Sequence, residues 1–171
     1  MQNSEQPILN RVAQSKILTF DLEDYYQEGK RIVLDIKDWL YEGLILREKE
    51  FRTFADSHDW ELYADAYVAI TCSTDAIIPG WAFMFLTSKL QPFAKQIVQG
   101  DLEQLETTLY QDIIQNIDLS EYKDKLVIIN GCSKKPVPAN AYVFITSRLQ
   151  PLVKSLMYGE ACSSVPLYKR K

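Results

Sequence analysis

Residues 63–101 of this chain read YADAYVAITCSTDAIIPGWAFMFLTSKLQPFAKQIVQGD, and residues 122–160 read YKDKLVIINGCSKKPVPANAYVFITSRLQPLVKSLMYGE. The second sequence is a copy of the first. From Pro79 and Pro138 onward, ten of 23 aligned positions are identical, where unrelated sequences would share about one or two. The match extends upstream to Phe51 and Tyr110 with fewer identities. The chain therefore contains an internal duplication.

Each copy begins with a predicted strand and a cysteine loop. Tyr67–Thr71 and Leu126–Asn130 are short apolar runs, which are typical of strands inside a covered sheet. Each run is followed by a loop with a Cys-Ser dipeptide. We expect the duplication to place these two thiols at matching points.

Each copy continues with a predicted helix. A proline that suits a first helical turn ends each cysteine loop, and apolar residues then recur at helical spacing to Ile97 and Leu156. Pro92 and Pro151 lie inside these patterns. Because proline removes a backbone donor and clashes one turn back, we expect each helix to kink or restart there.

Upstream of the duplication, residues 31–36 predict a strand and residues 47–57 predict a helix. Alternating strands and helices favour an α/β fold. We expect one mostly parallel sheet, covered by helices and built from two tandem repeats of strand, Cys loop and kinked helix. At 171 residues the chain fits a single domain spanning residues 1–171.

Composition limits the classes of partner. The net charge is −4 and the isoelectric point is near 5.1, which argues against nucleic-acid binding because nucleic-acid binders carry basic excess. No stretch has the length of a membrane span, and the N-terminus lacks the pattern of a signal peptide. We expect a cytoplasmic protein without membrane contact, and a homodimer is the commonest default assembly.

The three cysteines form the main candidate site. A reducing compartment favours free thiols or metal over disulfides, and ligands of α/β sheets collect beyond the carboxyl ends of strands. Cys72, Cys132 and Cys162 are therefore predicted to bind zinc or an iron–sulfur cluster. The candidates for a fourth ligand are His58, the only histidine, and Asp75, three residues after Cys72.

Nucleophilic or redox chemistry at Cys132 is the first alternative. Lys134 and Lys135 follow it, and a helix N-terminus is predicted nearby. These features lower the pKa of a thiol and enrich the thiolate. A hydrolytic enzyme would also need a histidine, for which His58 is the sole candidate.

Structural roles remain open for the same residues. Buried cysteines commonly fill small apolar gaps. His58 follows a predicted helix and suits a hydrogen-bonding role, and Asp75 is placed to cap the helix that begins near Pro79. A non-catalytic interaction module, with the basic C-terminal tail SSVPLYKRK as a docking segment, is the third class of function.

Long motifs resemble a known family over nearly the whole chain. They are FDLEDYY, DIKDWLYEGLILREKEF, HDW, TCSTDAIIPGWA, GDLEQLET, GCSKKPVP and LQPLVKSLMYGEACSSVPLYKRK. Together they resemble the bacterial family catalogued as domain of unknown function 2480. The family carries no established activity. The resemblance implies a link to iron–sulfur assembly proteins as partners, because genes of the family often lie near those of the sulfur-mobilising iron–sulfur assembly machinery.

Overall fold

Strands and helices alternate through most of the chain. The computed structural model describes residues 17–131, 134–160 and 162–171. The strands in these residues are β1 Ile17–Phe20, β2 Arg31–Asp35, β3 Tyr67–Thr71, β4 Gln96–Gln99, β5 Leu126–Ile129, β6 Ser155–Glu160 and β7 Ser163–Lys169. The α-helices are α1 Glu48–Ser57, α2 Gly80–Leu90, α3 Leu102–Asn116 and α4 Ala139–Leu149. None of the helices described is both long and apolar enough to cross a membrane.

The strands form two sheets rather than the single sheet expected. The chain falls into two compact units: the Cys72 unit, Gln27–Asp112, and the Cys162 unit, which comprises the N-terminal segment to Tyr26 and Ile113–Lys171. Each unit has its own sheet because each copy of the duplication pairs its own strands. The prediction of an α/β fold with mostly parallel strands is confirmed. The single-domain organisation stays a prediction.

The sheet of the Cys72 unit has the order β2-β3-β4, with every pair parallel. Successive side chains of β3 point to opposite faces. Val68 and Ile70 belong to a core cluster with α1 and α2, to which Phe51 and Leu86 contribute. Tyr67 and Ala69 pack on the other face against Leu105 and Leu109 of α3. Because both faces are covered, β3 is apolar throughout, as its sequence predicts.

The sheet of the Cys162 unit has the order β1-β5-β6-β7. The first three strands are parallel, and β7 returns antiparallel to β6 through a tight hairpin. Val127 and Ile129 of β5 are buried, as are Ile145 and Leu149 of α4. The ring of Phe20 stacks on another aromatic ring, that of Tyr25, at a centroid distance of 5.2 Å.

The prediction that each helix kinks or restarts at its proline is wrong. Helices α2 and α4 end at Leu90 and Leu149, two residues before Pro92 and Pro151. The proline ring disfavours a further helical turn. After α2, the N–H groups of Phe93 and Ala94 both donate to the carbonyl of Leu90, at 2.9 Å each. This turn leads directly into the next strand.

An offset of 59 residues relates local features of the two units. Asp65 and Asp124 each adopt a positive φ, 57° and 59°. Their backbone N–H groups donate to the carbonyls of Phe93 at 3.0 Å and Leu152 at 2.9 Å. The same turn therefore precedes β3 and β5, although a positive φ is unusual for a residue with a side chain.

Candidate functional site

The Cys72 loop leaves the carboxyl edge of the sheet in its unit. Cys72 follows β3 directly and is partly buried. Its Sγ lies 3.2 Å from the Thr74 hydroxyl oxygen. Beside it is a cavity of about 340 Å³, which is also lined by Phe83 of α2 and by Gln99 and Gly100 at the end of β4. A free thiol therefore lines a cavity at the edge where α/β proteins bind ligands.

Asp35 anchors the cysteine loop. It ends β2, and its Oδ1 accepts hydrogen bonds at 3.1 Å from the N–H groups of Lys37 and Ser73. Burial alone would raise the pKa of the Asp35 carboxyl, but the bonds from Ser73 and Lys37 and the lysine charge together lower it. The ionised carboxylate therefore holds the residue that follows Cys72.

Asp21 occupies the corresponding place in the Cys162 unit. It follows β1, and its Oδ2 accepts a hydrogen bond at 2.6 Å from the side-chain amide of Asn130, which follows β5. Glu23 donates its N–H to Asp21 Oδ1 at 2.9 Å, and its carboxylate accepts a hydrogen bond from the Lys134 N–H. In each unit, an aspartate at the end of one strand thus accepts a hydrogen bond from the loop that follows the neighbouring strand of the sheet.

Cys132 lies outside the described residues, between Gly131 and Lys134. At the 59-residue offset its counterpart is Ser73, and the counterpart of Cys72 is Gly131. The expectation that Cys72 and Cys132 stand at matching points is therefore wrong by one residue. A shift of one position in a loop changes which direction a side chain takes, so the duplication alone does not make the two thiols equivalent.

Cys162 is an exposed free thiol in the turn between β6 and β7. Its Sγ lies 3.7 Å from Oε2 of Glu160, at the end of β6. Glu160 pairs with Ser163 across the hairpin. Cys162 therefore also lies beyond the carboxyl end of a parallel strand.

His58 lies in an aromatic cluster at the end of α1. Its Nε2 is 2.9 Å from the Tyr63 hydroxyl oxygen, and its ring packs edge-on against Trp39 and Trp60, at centroid distances of 5.1 and 4.8 Å. Burial lowers the pKa of the His58 ring, and the nearby Asp59 carboxylate opposes this shift. His58 is thus a hydrogen-bonded side chain at the edge of the hydrophobic core.

Asp75 is exposed and lies on the same loop as Cys72. Helix α2 begins at Gly80 after Pro79, without a side-chain hydrogen bond at its N-cap. Asp75 is therefore not the cap of this helix. Among the described residues, no group of three or more histidine, cysteine or acidic side chains has an arrangement that could hold a metal ion.

Sequence reasoning missed Asp21, Asp35 and the cavity. A signal for the two aspartates was present, since each directly ends an apolar run that precedes a turn. The cavity had no comparable signal, because Phe83 and Gln99 approach Cys72 only through the pairing of β3 with β4 and the position of α2.

Comparison with known proteins identifies one family. The family model described as "Protein of unknown function (DUF2480)" matches residues 6–170. No curated protein and no solved structure matches the chain.

Proposed function

The chain belongs to the DUF2480 family of proteins of unknown function, and we propose that it is a cytoplasmic accessory protein of iron–sulfur or metal handling. It binds zinc or an iron–sulfur cluster through cysteine thiolates, and its partners are iron–sulfur assembly proteins. One observation carries this proposal. The free cysteines described, Cys72 and Cys162, both follow the carboxyl end of a parallel strand, where ligands of α/β proteins bind.

Cys132 and Cys162 form the first group of proposed ligands. Strands β5 and β6 are parallel neighbours, with Ile129 opposite Tyr158. Cys132 follows β5 in the sequence and Cys162 follows β6. Loops after neighbouring parallel strands leave the same edge, and zinc accepts thiolate sulfur at about 2.3 Å. The Glu160 carboxylate beside Cys162 is of a type that zinc also accepts.

Cys72 and Asp75 form the second group, in the other unit. Both lie on the loop between β3 and α2, and Asp75 is exposed. His58 remains a weaker candidate for a ligand, because coordination through Nε2 would replace its hydrogen bond with Tyr63. Thiolate binding requires loss of the thiol proton, so metal affinity should rise with pH in either group.

The test is metal analysis of protein purified without oxygen or chelator, combined with an ultraviolet–visible spectrum. The variants Cys72→Ser, Cys132→Ser and Cys162→Ser are compared with Ser163→Ala, which changes a neighbouring side chain in the same hairpin as Cys162. We expect near-stoichiometric zinc or iron in wild type and in the control. The metal should be lost in Cys132→Ser and Cys162→Ser where the first group holds it, and in Cys72→Ser where the second group holds it. A folded wild-type protein without metal would overturn the proposal.

A cysteine-dependent enzyme is the second candidate, with Cys132 as the nucleophile predicted from sequence. The observation that favours an enzyme concerns Cys72 rather than Cys132: a surface cavity of about 340 Å³ adjoins Cys72, and clefts of about 300–1,000 Å³ are typical of small-molecule sites. Alkylation rates at neutral pH, followed by peptide mass mapping, separate the cases. A nucleophile would make one cysteine react much faster than the other two, whereas equal slow rates would exclude this candidate.

A further inference from the structure

Tyr158 fills the carboxyl edge of the sheet in the Cys162 unit. Its ring lies over Gly131, so closely that a Cβ on this glycine would meet Tyr158 Cζ at 2.9 Å. The Tyr158 hydroxyl donates to the Gly131 carbonyl oxygen at 3.4 Å. The ring also packs edge-to-face against Tyr142, at a centroid distance of 5.7 Å. One phenol ring thus has an acceptor at its hydroxyl and an aromatic ring at its side.

In the Cys72 unit, strands β3 and β4 pair in the same register as β5 and β6 but carry different side chains. Ile70 pairs with Gln99 across β3 and β4, as Ile129 pairs with Tyr158 across β5 and β6. Gln99 is therefore the counterpart of Tyr158. At the same offset, Cys72 replaces Gly131 and Phe83 replaces Tyr142.

The Cys72 unit is open at the place that Tyr158 fills in the other unit. The cavity of about 340 Å³ lies there, and all three exchanged positions, Cys72, Phe83 and Gln99, line it. Its other lining residues include Ala76, Ile78 and Gly100. Benzene fits an engineered closed cavity of about 150 Å³, so this cavity, which opens to solvent, has room for one aromatic ring with substituents. Its volume also falls in the range of about 300–1,000 Å³ for small-molecule sites.

We propose that this cavity binds a small molecule with one aromatic ring that carries a hydroxyl or N–H donor. In the Cys162 unit, Tyr158 serves as an internal model of the bound ring. Phe83 supplies the aromatic contact that Tyr142 gives to Tyr158, and the Cys72 carbonyl is the counterpart of the acceptor at Gly131. The amide of Gln99, which is exposed at the mouth, provides a polar partner for a substituent.

The side chains at positions 72 and 99 act as a pair in this proposal. A tyrosine at 99 would need the space that the Cys72 side chain occupies, just as Tyr158 requires glycine at 131. The double variant Cys72→Gly/Gln99→Tyr therefore reproduces the filled arrangement of the other unit. Cys72→Ser keeps the open cavity while removing the thiol.

The test is a nuclear magnetic resonance titration of metal-free protein with p-cresol, which is the tyrosine side chain as a free molecule. We expect saturable shifts in wild type and Cys72→Ser, and binding at least about tenfold weaker in Cys72→Gly/Gln99→Tyr. Met84→Tyr is the matched control, because it adds a phenol at a position of α2 that is 74% exposed. Equal binding by the double variant, or none by wild type, would overturn the proposal.

Protection from alkylation tests the same site without any substitution. Saturating p-cresol should slow the reaction of Cys72 with iodoacetamide several-fold and leave the exposed Cys162 unchanged. Equal rates at Cys72 with and without p-cresol would contradict the proposal even if the double variant failed to fold. Because the inference does not depend on metal, loss of the metal proposal would leave these outcomes unchanged.

Discussion

The ion pair between Arg31 and Glu106 is expected to contribute measurably to stability. Arg31 Nε lies 2.7 Å from Glu106 Oε1, and its Nη2 lies 3.2 Å from Oε2, so the contact is bidentate. The side chains are only 12% and 10% exposed. The pair joins β2 to α3, on the face of the sheet where Tyr67 packs.

The magnitude follows from what Glu106→Gln leaves behind. Removing one partner of a buried ion pair costs about 3–5 kcal/mol, because the other charge stays buried and unpaired. Arg31 would retain a hydrogen bond to the Gly29 carbonyl at 2.9 Å and a position 4.9 Å from the Tyr67 ring centroid. We therefore expect a loss in the free energy of unfolding of about 2–3 kcal/mol.

Urea denaturation followed by tryptophan fluorescence measures this loss. Glu48→Gln is the matched control, because Glu48 pairs with Arg52 at 2.9 Å on the exposed surface of α1. That change should cost less than about 0.5 kcal/mol. Arg31→Met/Glu106→Leu should recover most of the loss, since apolar replacement of a buried pair is often neutral. Equal losses for Glu106→Gln and Glu48→Gln would refute the reasoning.

Three further changes probe the loops and the aromatic cluster. Asp35→Ala should lower the free energy of unfolding by about 1–2 kcal/mol, because the Ser73 N–H loses its acceptor. The pKa of Asp35 is lowered from 3.8, so the stabilisation by Asp35 is present above pH 3.8 and is lost as the pH falls through the folded-state pKa. Unfolding measured across an acid titration would detect this loss. Gly131→Ala should cost about 1 kcal/mol, because the new Cβ meets the outer end of the partly exposed Tyr158 ring, which can shift, and approaches the Gly159 Cα at 3.2 Å. Thermal unfolding measures this cost, and an unchanged midpoint would contradict the close contact. Burial lowers the pKa of His58 from 6.5, so stability is lost as pH falls from that value toward the folded-state pKa; His58→Phe should abolish this loss in urea midpoints between about pH 5 and 7.5.

The sequence predicted those elements whose local residue pattern matches their environment in the fold. Strand β3 is apolar because both of its faces are covered, and this composition marks it without reference to partners. Helix α2 begins directly after Pro79, as the proline indicates. In these cases the local pattern and the tertiary environment favour the same conformation.

Strand β4 could not be recognised, because its local residue pattern matches a helix rather than the strand that it forms. Phe93, Ala94 and Ile97 fit the helical spacing of α2 and pack against the same core cluster as Leu86 and Leu90. Apolar spacing alone cannot distinguish a continued helix from a turn followed by a short strand. The number of sheets was equally hidden, because the pattern within a strand does not specify which strand lies beside it.

The differences between the two copies are concentrated at the carboxyl edges of their sheets. Identical residues such as Pro79, Leu90 and Pro92 start α2, fill its core face or follow its end, and their counterparts serve α4 in the same way. The loops at 72–78 and 131–137 share no identical residue at the 59-residue offset. The framework is thus common to both units, whereas the side chains that could meet a ligand are not.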